Sequence, residues 1–323
     1  MSEPQRPQGA YEFFDFEPAT DDMASEVQRG LKSSPKVISP KFFYDARGSQ
    51  LFEQITELDA YYLTRTEMSL FDAHLPEIAE VLGDNLCLIE YGSGSSKKIR
   101  KVLETVSPSA YVPVDISQDH LKENAWALYQ DFPHLDVFPV CADITQQFAL
   151  PEAVADRIKV GFFPGSSIGN FEPQLAQSFL RNVRAVLGAG GALIIGVDRK
   201  KTVSVLERAY NDADGVTAAF NLNLLAHLNA RLEGNFDLGG FEHDARYNEA
   251  QGCIQMFLRS RAEQTVEIAG ITVEFETSEE LHTENSYKYH PEEFADLCAT
   301  AGFQIDRQWS DPQDYFTLYL LRC

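Results

Sequence analysis

Between residues 86 and 198 the chain alternates short apolar runs with longer stretches whose apolar residues recur every three to four positions. The runs lie at 86–91, 110–114, 135–141, 158–163 and 191–197, and most are apolar at nearly every position. A strand reads that way when both of its faces are buried. The stretches between them predict helices over 98–106, 118–131 and 173–186. Strands that alternate with helices in this order predict an α/β fold, a doubly wound parallel sheet covered on both faces.

The flanks add to this picture. Asp21 and Asp22 precede Met23, Val27 and Leu31, a capped amphipathic helix ended by Lys32-Ser33-Ser34-Pro35. Residues 36–65 are dense in aromatics: Phe42, Phe43, Tyr44, Phe52, Tyr61 and Tyr62. A helix follows at 69–81, with Leu70, Phe71, Leu75, Ile78 and Val81 on one face. From 199 to 288 the alternation stops. Helices at 200–212 and 216–232 lead to strand-like runs at 241–248, 254–261, 265–275 (with a turn at Ala269-Gly270) and 281–289, an α+β insertion. A helix at 291–301 and strands at 303–307 and 314–321 return to the first pattern and close the sheet. The expected division is a loosely ordered stretch at 1–20, one domain from 21–35, 66–198 and 289–323, and a second from 36–65 and 199–288.

Charge and composition narrow the partners. Lys and Arg number 27 against 49 Asp and Glu, a net charge of −22. A nucleic acid or an anionic membrane needs basic surface, so neither is expected as a partner. Apolar residues at 44% suffice for a core. The five cysteines are widely spaced with no CxxC, which fits no disulfide scaffold or cysteine zinc site and suits a reducing cytoplasm. No apolar run approaches the ~18 residues of a membrane helix, and the first residues lack a basic-then-apolar signal pattern. The seven histidines show no paired ligand spacing and read as surface or packing residues, so no metal is expected. His282, two residues before Glu284, falls on the same face of a regular strand.

The sharpest local pattern is Glu90-Tyr91-Gly92-Ser93-Gly94-Ser95-Ser96-Lys97, where the first run meets its helix. Glycines there let backbone approach a ligand, and a helix N-terminus offers free N–H groups. A P-loop would end in Gly-Lys-Ser/Thr, and a dinucleotide turn would carry a third glycine where Lys97 stands. Glu-x-Gly-x-Gly without that glycine matches an adenosylmethionine-type turn, or an ordinary strand–helix turn. Asp115 ends the second run, where a carboxylate accepts both ribose hydroxyls. Asp143-Ile144 ends the third, suited to an adenine amino group and ring. Three successive run ends of this kind make one crevice and favour a nucleoside. The fourth ends in 163–171, where Gly165 carbonyl and Asn170 suit an amine held without a charged base; a structural turn with Asn170 as a helix cap is the alternative.

Longer motifs carry a resemblance. They are Pro40-Lys41-Phe42-Phe43-Tyr44-Asp45-Ala46-x-Gly48-Ser49, Tyr61-Tyr62-x-Thr64-Arg65-Thr66-Glu67, Gly92-Ser93-Gly94 and Gly165-Ser166-Ser167-Ile168-Gly169-Asn170. Two more are the run from Ala209-Tyr210-Asn211 to Ala219-Phe220-Asn221, and Thr283-Glu284-Asn285-Ser286. From about residue 20 onward the chain resembles the histidine Nα-methyltransferases of ergothioneine biosynthesis. That resemblance implies a class I, Rossmann-like methyltransferase domain that uses S-adenosylmethionine, with an inserted α+β substrate-binding domain. It implies that Gly92, Ser93, Gly94, Lys98, Asp115, Asp143 and Ile144 line the donor site. It assigns Tyr61, Asn170 and Tyr210 to the substrate carboxylate, Tyr44, Asn170 and the Gly165 carbonyl to the amine, and Glu284 and Ser286 to the two imidazole nitrogens. Thr217 and Met256 would line the pocket. The implied reaction is three successive methylations of the L-histidine α-amine, giving hercynine. The implied protein is a cytoplasmic monomer acting on a small-molecule substrate. A relative acting on tryptophan is the nearest alternative, and Glu284 with Ser286 discriminates, because an indole offers one donor and no acceptor. A nicotinamide oxidoreductase and a non-catalytic adenosylmethionine sensor are the alternatives from other classes, the first disfavoured by Lys97 and the second by Tyr44, Asn170 and Tyr210.

Overall fold

All six residues of the strand Leu86–Tyr91 and all seven of Ala192–Asp198 are buried, as their largely apolar runs lead one to expect. A computed structural model describes residues 9–16, 23–93 and 96–323. The chain forms two units. The first gathers the described residues up to 16 with Thr66–Arg199 and Tyr289–Cys323, and the second gathers 23–65 with Lys200–Lys288.

Among the described residues the first unit holds a nine-stranded sheet. Its path runs Phe14–Asp15, Val140–Cys141, Ala110–Asp115, Leu86–Tyr91, Ile158–Phe163, Ala192–Asp198, Phe316–Arg322 and Gln304–Ser310, with Asp136–Val137 pairing off this path. The strands up to Ala192–Asp198 pair in parallel, and the last two are antiparallel. From Leu86–Tyr91 the chain builds outward to Ala110–Asp115 and Val140–Cys141, then returns to add Ile158–Phe163 on the other side. Strand order reverses there, and crevices for ligands open at such a point, beyond the strands' carboxyl ends. Helices cover both faces, so the core is two clusters, one around Phe163, Phe179 and Phe294, the other around Phe71, Phe162 and Leu318.

The second unit is the α+β insertion. A four-stranded sheet runs Lys36–Val37, Glu280–Tyr287, Cys253–Ser260 and Phe241–Asn248, and a hairpin pairs Gln264–Ile268 with Ile271–Phe275. The helices Ala46–Glu57, Val203–Tyr210 and Val216–Leu232 accompany them. Among the described residues no helix is long and apolar enough to cross a membrane.

Several expected bounds coincide with those found: Gln118–Asp131, Ile158–Phe163 and Pro291–Ala301. Others differ for identifiable reasons. The run at 135–141 is two short strands, because Pro139 has no N–H to continue the ladder. The helix expected at 69–81 runs over Tyr62–Leu82. Its buried stripe carries a carboxylate, Glu67, so a count of apolar residues alone starts about two turns too late. The expected loose N-terminus is corrected at residues 9–16. Tyr11 bridges to Val137, and Phe14–Asp15 pairs in parallel with Val140–Cys141. The helix Met23–Lys32, expected with the methyltransferase domain, belongs to the second unit, where Gln28 donates to the Ala269 carbonyl at 2.7 Å. Its proposed caps, Asp21 and Asp22, lie outside the described residues.

Candidate active site

In the first unit, Gly92 follows Leu86–Tyr91 with φ at +77°, a conformation that costs glycine nothing. The N–H groups of Gly92 and Ser93 both donate to the Val114 carbonyl, at 2.9 and 3.3 Å, and fold the turn over the neighbouring strand. Ser93 Oγ is buried with no hydrogen-bond partner among the described residues. Gly94 lies outside those residues. At the next strand end, Asp115 Oδ1 accepts from the Ser117 N–H at 2.8 Å, and burial pushes its carboxyl above the usual range. Beyond Val140–Cys141, Asp143 Oδ1 accepts from Thr145 N and Oγ1 at 2.8 and 2.7 Å, while half-buried Ile144 packs on the core. The three strand ends are therefore adjacent, as expected from their order. Glu90, beneath the turn, is pushed up to about 8 by burial against the hydrogen bond it accepts from Tyr111.

Glu67 completes this edge. It is fully buried; its Oε2 meets Lys98 Nζ at 2.5 Å and its Oε1 accepts from the Gly165 N–H at 2.7 Å. One carboxylate thus fixes Lys98 and the turn after the fourth strand. Gly165 and Ser166 both have positive φ, +78° and +56°. Buried Ser166 makes its left-handed turn tolerable by accepting from the Asp198 N–H at 2.9 Å. Asn170 ends the 3-10 turn Ser167–Asn170. It is not the cap of the next helix, whose N-cap is Glu172.

In the second unit an aromatic wall is built from Tyr44, Phe52, Tyr61, Tyr210 and Phe220. Neighbouring rings lie 5.8–6.4 Å apart, mostly edge to face. Two local devices place the tyrosines. Asp45 caps the helix Ala46–Glu57 by accepting from Gly48 N at 2.7 Å, and a Cβ on Gly48 would lie 1.7 Å from the Phe43 carbonyl oxygen. Arg65 reaches back to the carbonyls of Leu58, Asp59 and Tyr61, at 3.2, 2.6 and 3.4 Å, and clamps the bend that carries Tyr61. Tyr44 is 48% exposed, yet protein crowds its hydroxyl enough that burial and then Glu284 push it well above the ordinary phenol value.

The strand Glu280–Tyr287 supplies the rest. Met256 pairs with Glu284 and Phe257 with His282, so Thr283 is the extra residue of a bulge. Asn221 holds it, accepting from Thr283 Oγ1 at 2.8 Å and donating to the Phe257 carbonyl at 3.0 Å. The bulge corrects the expectation for His282. Its Nε2 turns to Asn285 Oδ1 at 3.0 Å, off the face of Glu284. Beyond the bulge, Glu284, Ser286 and Lys288 alternate regularly on one face. Burial pushes the Glu284 carboxyl up to about 7, with Lys288 pulling the other way. Ser286 Oγ and Tyr210 Oη are 2.8 Å apart, and Lys288 Nζ donates to both at 2.9 Å. Met256 and Thr217 are buried, and Thr217 sits on the first turn of Val216–Leu232. Burial of Asp212 opposes its ionisation, but the N–H groups of Val216 and Thr217 outweigh it and hold the carboxyl low. Behind Tyr210, His243 Nε2 donates to the Tyr210 carbonyl at 2.8 Å and Nδ1 accepts from Asn221 at 2.9 Å, a neutral tautomer assigned from these partners.

Tyr44, Tyr61, Tyr210, Thr217, Met256, Glu284 and Ser286 thus belong to the second unit, and Lys98, Asp115, Asp143, Gly165 and Asn170 to the first. Sequence reasoning assigned no role to Glu67, Arg65 or Lys288. A charge in an apolar stripe marks Glu67, and the period of two continued past Ser286 marks Lys288.

The family model for histidine-specific, S-adenosylmethionine-dependent methyltransferases matches residues 23–323. The histidine N-alpha-methyltransferase of Mycolicibacterium smegmatis is 38% identical over 308 residues, covering 94% of this chain and 95% of that one. Ergothioneine biosynthesis protein 1 of Neurospora crassa is 30% identical over 297 residues, 88% of this chain and 33% of that protein. An L-tryptophan methyltransferase of Psilocybe serbica is 24% identical over 345 residues, 94% of each chain.

Proposed function

The chain belongs to the histidine-specific, S-adenosylmethionine-dependent methyltransferases, and on that premise we propose that it methylates the α-amine of L-histidine three times, giving hercynine for ergothioneine biosynthesis. The observation that carries the substrate reading is half-buried Glu284 beside buried Ser286 on one strand face, past a bulge that sets their phase. A carboxylate accepts from an imidazole N–H, and a hydroxyl donates to the other nitrogen. A tryptophan side chain leaves one of the two unsatisfied, which a buried site penalises.

The first unit fits the methyl donor. Ser93 Oγ is a buried polar atom in want of a partner, at a turn whose glycine φ admits close approach. Gly92, Ser93, Gly94 and Lys98 are proposed to hold its amino acid end, Asp115 its ribose, and Asp143 with Ile144 its adenine. When bound, S-adenosylmethionine supplies a methyl group already activated on a sulfonium. The protein's own task is to align an amine and keep it unprotonated, and alignment supplies up to ~7–11 kcal/mol. Tyr61, Asn170 and Tyr210 anchor the carboxylate, and Thr217 and Met256 line the wall. Tyr44 Oη, the Asn170 carboxamide and the Gly165 carbonyl are neutral acceptors for amine protons. A carboxylate there would favour the ammonium and block its lone pair. Burial keeps Tyr44 a phenol, so it adds no such charge. We further propose that the protein acts as a cytoplasmic monomer on this small-molecule substrate.

The test is purified protein with excess S-adenosylmethionine and each free amino acid, followed by mass spectrometry. Trimethylhistidine is the expected end product. Transfer to tryptophan but not histidine overturns the substrate reading, and accumulation of only the monomethyl product in active enzyme overturns the number of methylations.

A further inference from the structure

Lys288 is 1% exposed, among the largest side chains fully enclosed in the protein. It follows Glu284 and Ser286 on the same strand face, and its backbone N–H is fixed to the Gly252 carbonyl at 2.9 Å. Its Nζ lies 2.9 Å from both Tyr210 Oη and Ser286 Oγ, and 4.9 Å from the centre of the Tyr210 ring.

We propose that Lys288 is a positioning residue of the substrate site, whose ammonium makes acceptors of the Tyr210 and Ser286 oxygens, so that Ser286 presents its proton to the substrate ring, and whose positive charge stands beside Tyr210, where the amino acid carboxylate is anchored. The inference rests on the substrate reading above and adds to it how both anchors are oriented. An ammonium carries only donors, so both oxygens accept from it. Tyr210 and Ser286 also share a proton across 2.8 Å. With the phenol, the more acidic group, donating to the serine, Ser286 Oγ accepts twice. Its own proton is then what it presents to a ring nitrogen. Glu284 on the same face presents an acceptor. The pair therefore selects a neutral imidazole in a single tautomer, and Lys288 sets that polarity. The Lys288 charge also opposes the burial of Glu284, helping keep that carboxyl an acceptor.

The experiment compares wild-type enzyme with Lys288→Met, Lys288→Gln, Tyr210→Phe and the Lys288→Met/Tyr210→Phe double variant. S-adenosylhomocysteine binding by calorimetry reports on the first unit and is expected to stay within about twofold. The KM for histidine is expected to rise roughly 10- to 100-fold in Lys288→Met, the size of a hydrogen bond involving a charged group, with kcat changed less. Inhibition by imidazole-4-propionate, which keeps the carboxylate, should weaken in parallel, and inhibition by histamine, which lacks it, should weaken less. Because Lys288 acts through Tyr210, the double variant should lose less than the product of the two single losses. If Lys288→Met does not fold, Lys288→Gln keeps N–H donors without the charge and carries the same comparison of inhibitors. A histidine KM within threefold of wild type in a folded variant overturns the inference, and so do equal losses for both inhibitors or fully multiplicative losses. Wild-type enzyme inert toward histidine overturns the substrate reading, and the inference with it.

Discussion

Removing the Glu67 side chain is the most informative single perturbation of the first unit. Glu67 is fully buried and serves two partners at once, Lys98 Nζ at 2.5 Å and the Gly165 N–H at 2.7 Å. Glu67→Ala leaves an ammonium whose side chain is only 18% exposed and a backbone N–H without their acceptors. Breaking a buried ion pair from one side costs about 3–5 kcal/mol, and partial exposure of Lys98 places this case toward the lower end. In a protein of this size each kcal/mol moves Tm by about 2 °C, so the melting point should fall on the order of 6–10 °C. Glu67→Gln separates the two duties. Its amide oxygen still accepts from Gly165, while its NH2 group faces Lys98 as donor to donor. That variant should keep most of its melting temperature and lose roughly tenfold in S-adenosylmethionine affinity, since Lys98 is no longer held. Gly196 gives a second handle on this carboxylate: a Cβ there would sit 2.1 Å from Glu67 Oε1, the oxygen that accepts from Gly165, and 2.9 Å from the Phe316 ring, so Gly196→Ala should lower Tm as well as donor affinity. Differential scanning calorimetry and titration calorimetry read both quantities. Glu67→Ala with Tm within about 2 °C of wild type and unchanged donor affinity would refute the assignment.

Three further outcomes follow from the same geometry. Glu284→Ala should lower kcat/KM for histidine by roughly 10- to 100-fold while tryptophan activity holds or rises; equal losses would make Glu284 structural. Folding lifts the Glu284 carboxyl from about 4.3 to about 7, so the native state binds the extra proton and its stability falls as pH rises across that window. The melting-point advantage of Glu284→Gln over wild type, without ligands, should therefore be larger at pH 8 than at pH 5, and a pH-independent difference would count against the burial of that carboxylate. Asp115→Ala should weaken S-adenosylmethionine binding by the ~1.5–3 kcal/mol of a charge-assisted hydrogen bond, and unchanged affinity in a folded variant would remove Asp115 from the ribose.

The parallel sheet was legible because each strand is apolar along its length, a pattern carried by local sequence. The strand-end positions of Gly92, Asp115 and Asp143 followed from it. What periodicity hid were places where a polar residue occupies a buried slot. Glu67 interrupts an apolar stripe and so shortened its helix. Lys288 looks like solvated charge until its hydroxyl partners, one of them 78 residues away at Tyr210, are known. His282 was misphased because a bulge at Thr283 leaves no mark in alternation. It is held by Asn221, 62 residues upstream, and only the fold brings the two together. The N-terminal stretch failed for the reverse reason. Two residues, Phe14–Asp15, make a strand only because Val140–Cys141 offers an edge.

The sheet order also has a temporal side. Ala192–Asp198 takes its second neighbour, Phe316–Arg322, from a point 118 residues further along the chain. On a ribosome adding about 5–20 residues per second, that flank stays without its partner for roughly 6–24 s. The remainder of the second unit, Lys200–Lys288, is made within that interval. A nascent chain thus carries a bare hydrophobic strand edge while its insertion is already complete, and such an edge is where chaperones bind or neighbouring chains pair. Slow codons placed between positions 198 and 316 would lengthen that exposure, and stalling there should produce more aggregate than stalling after residue 322.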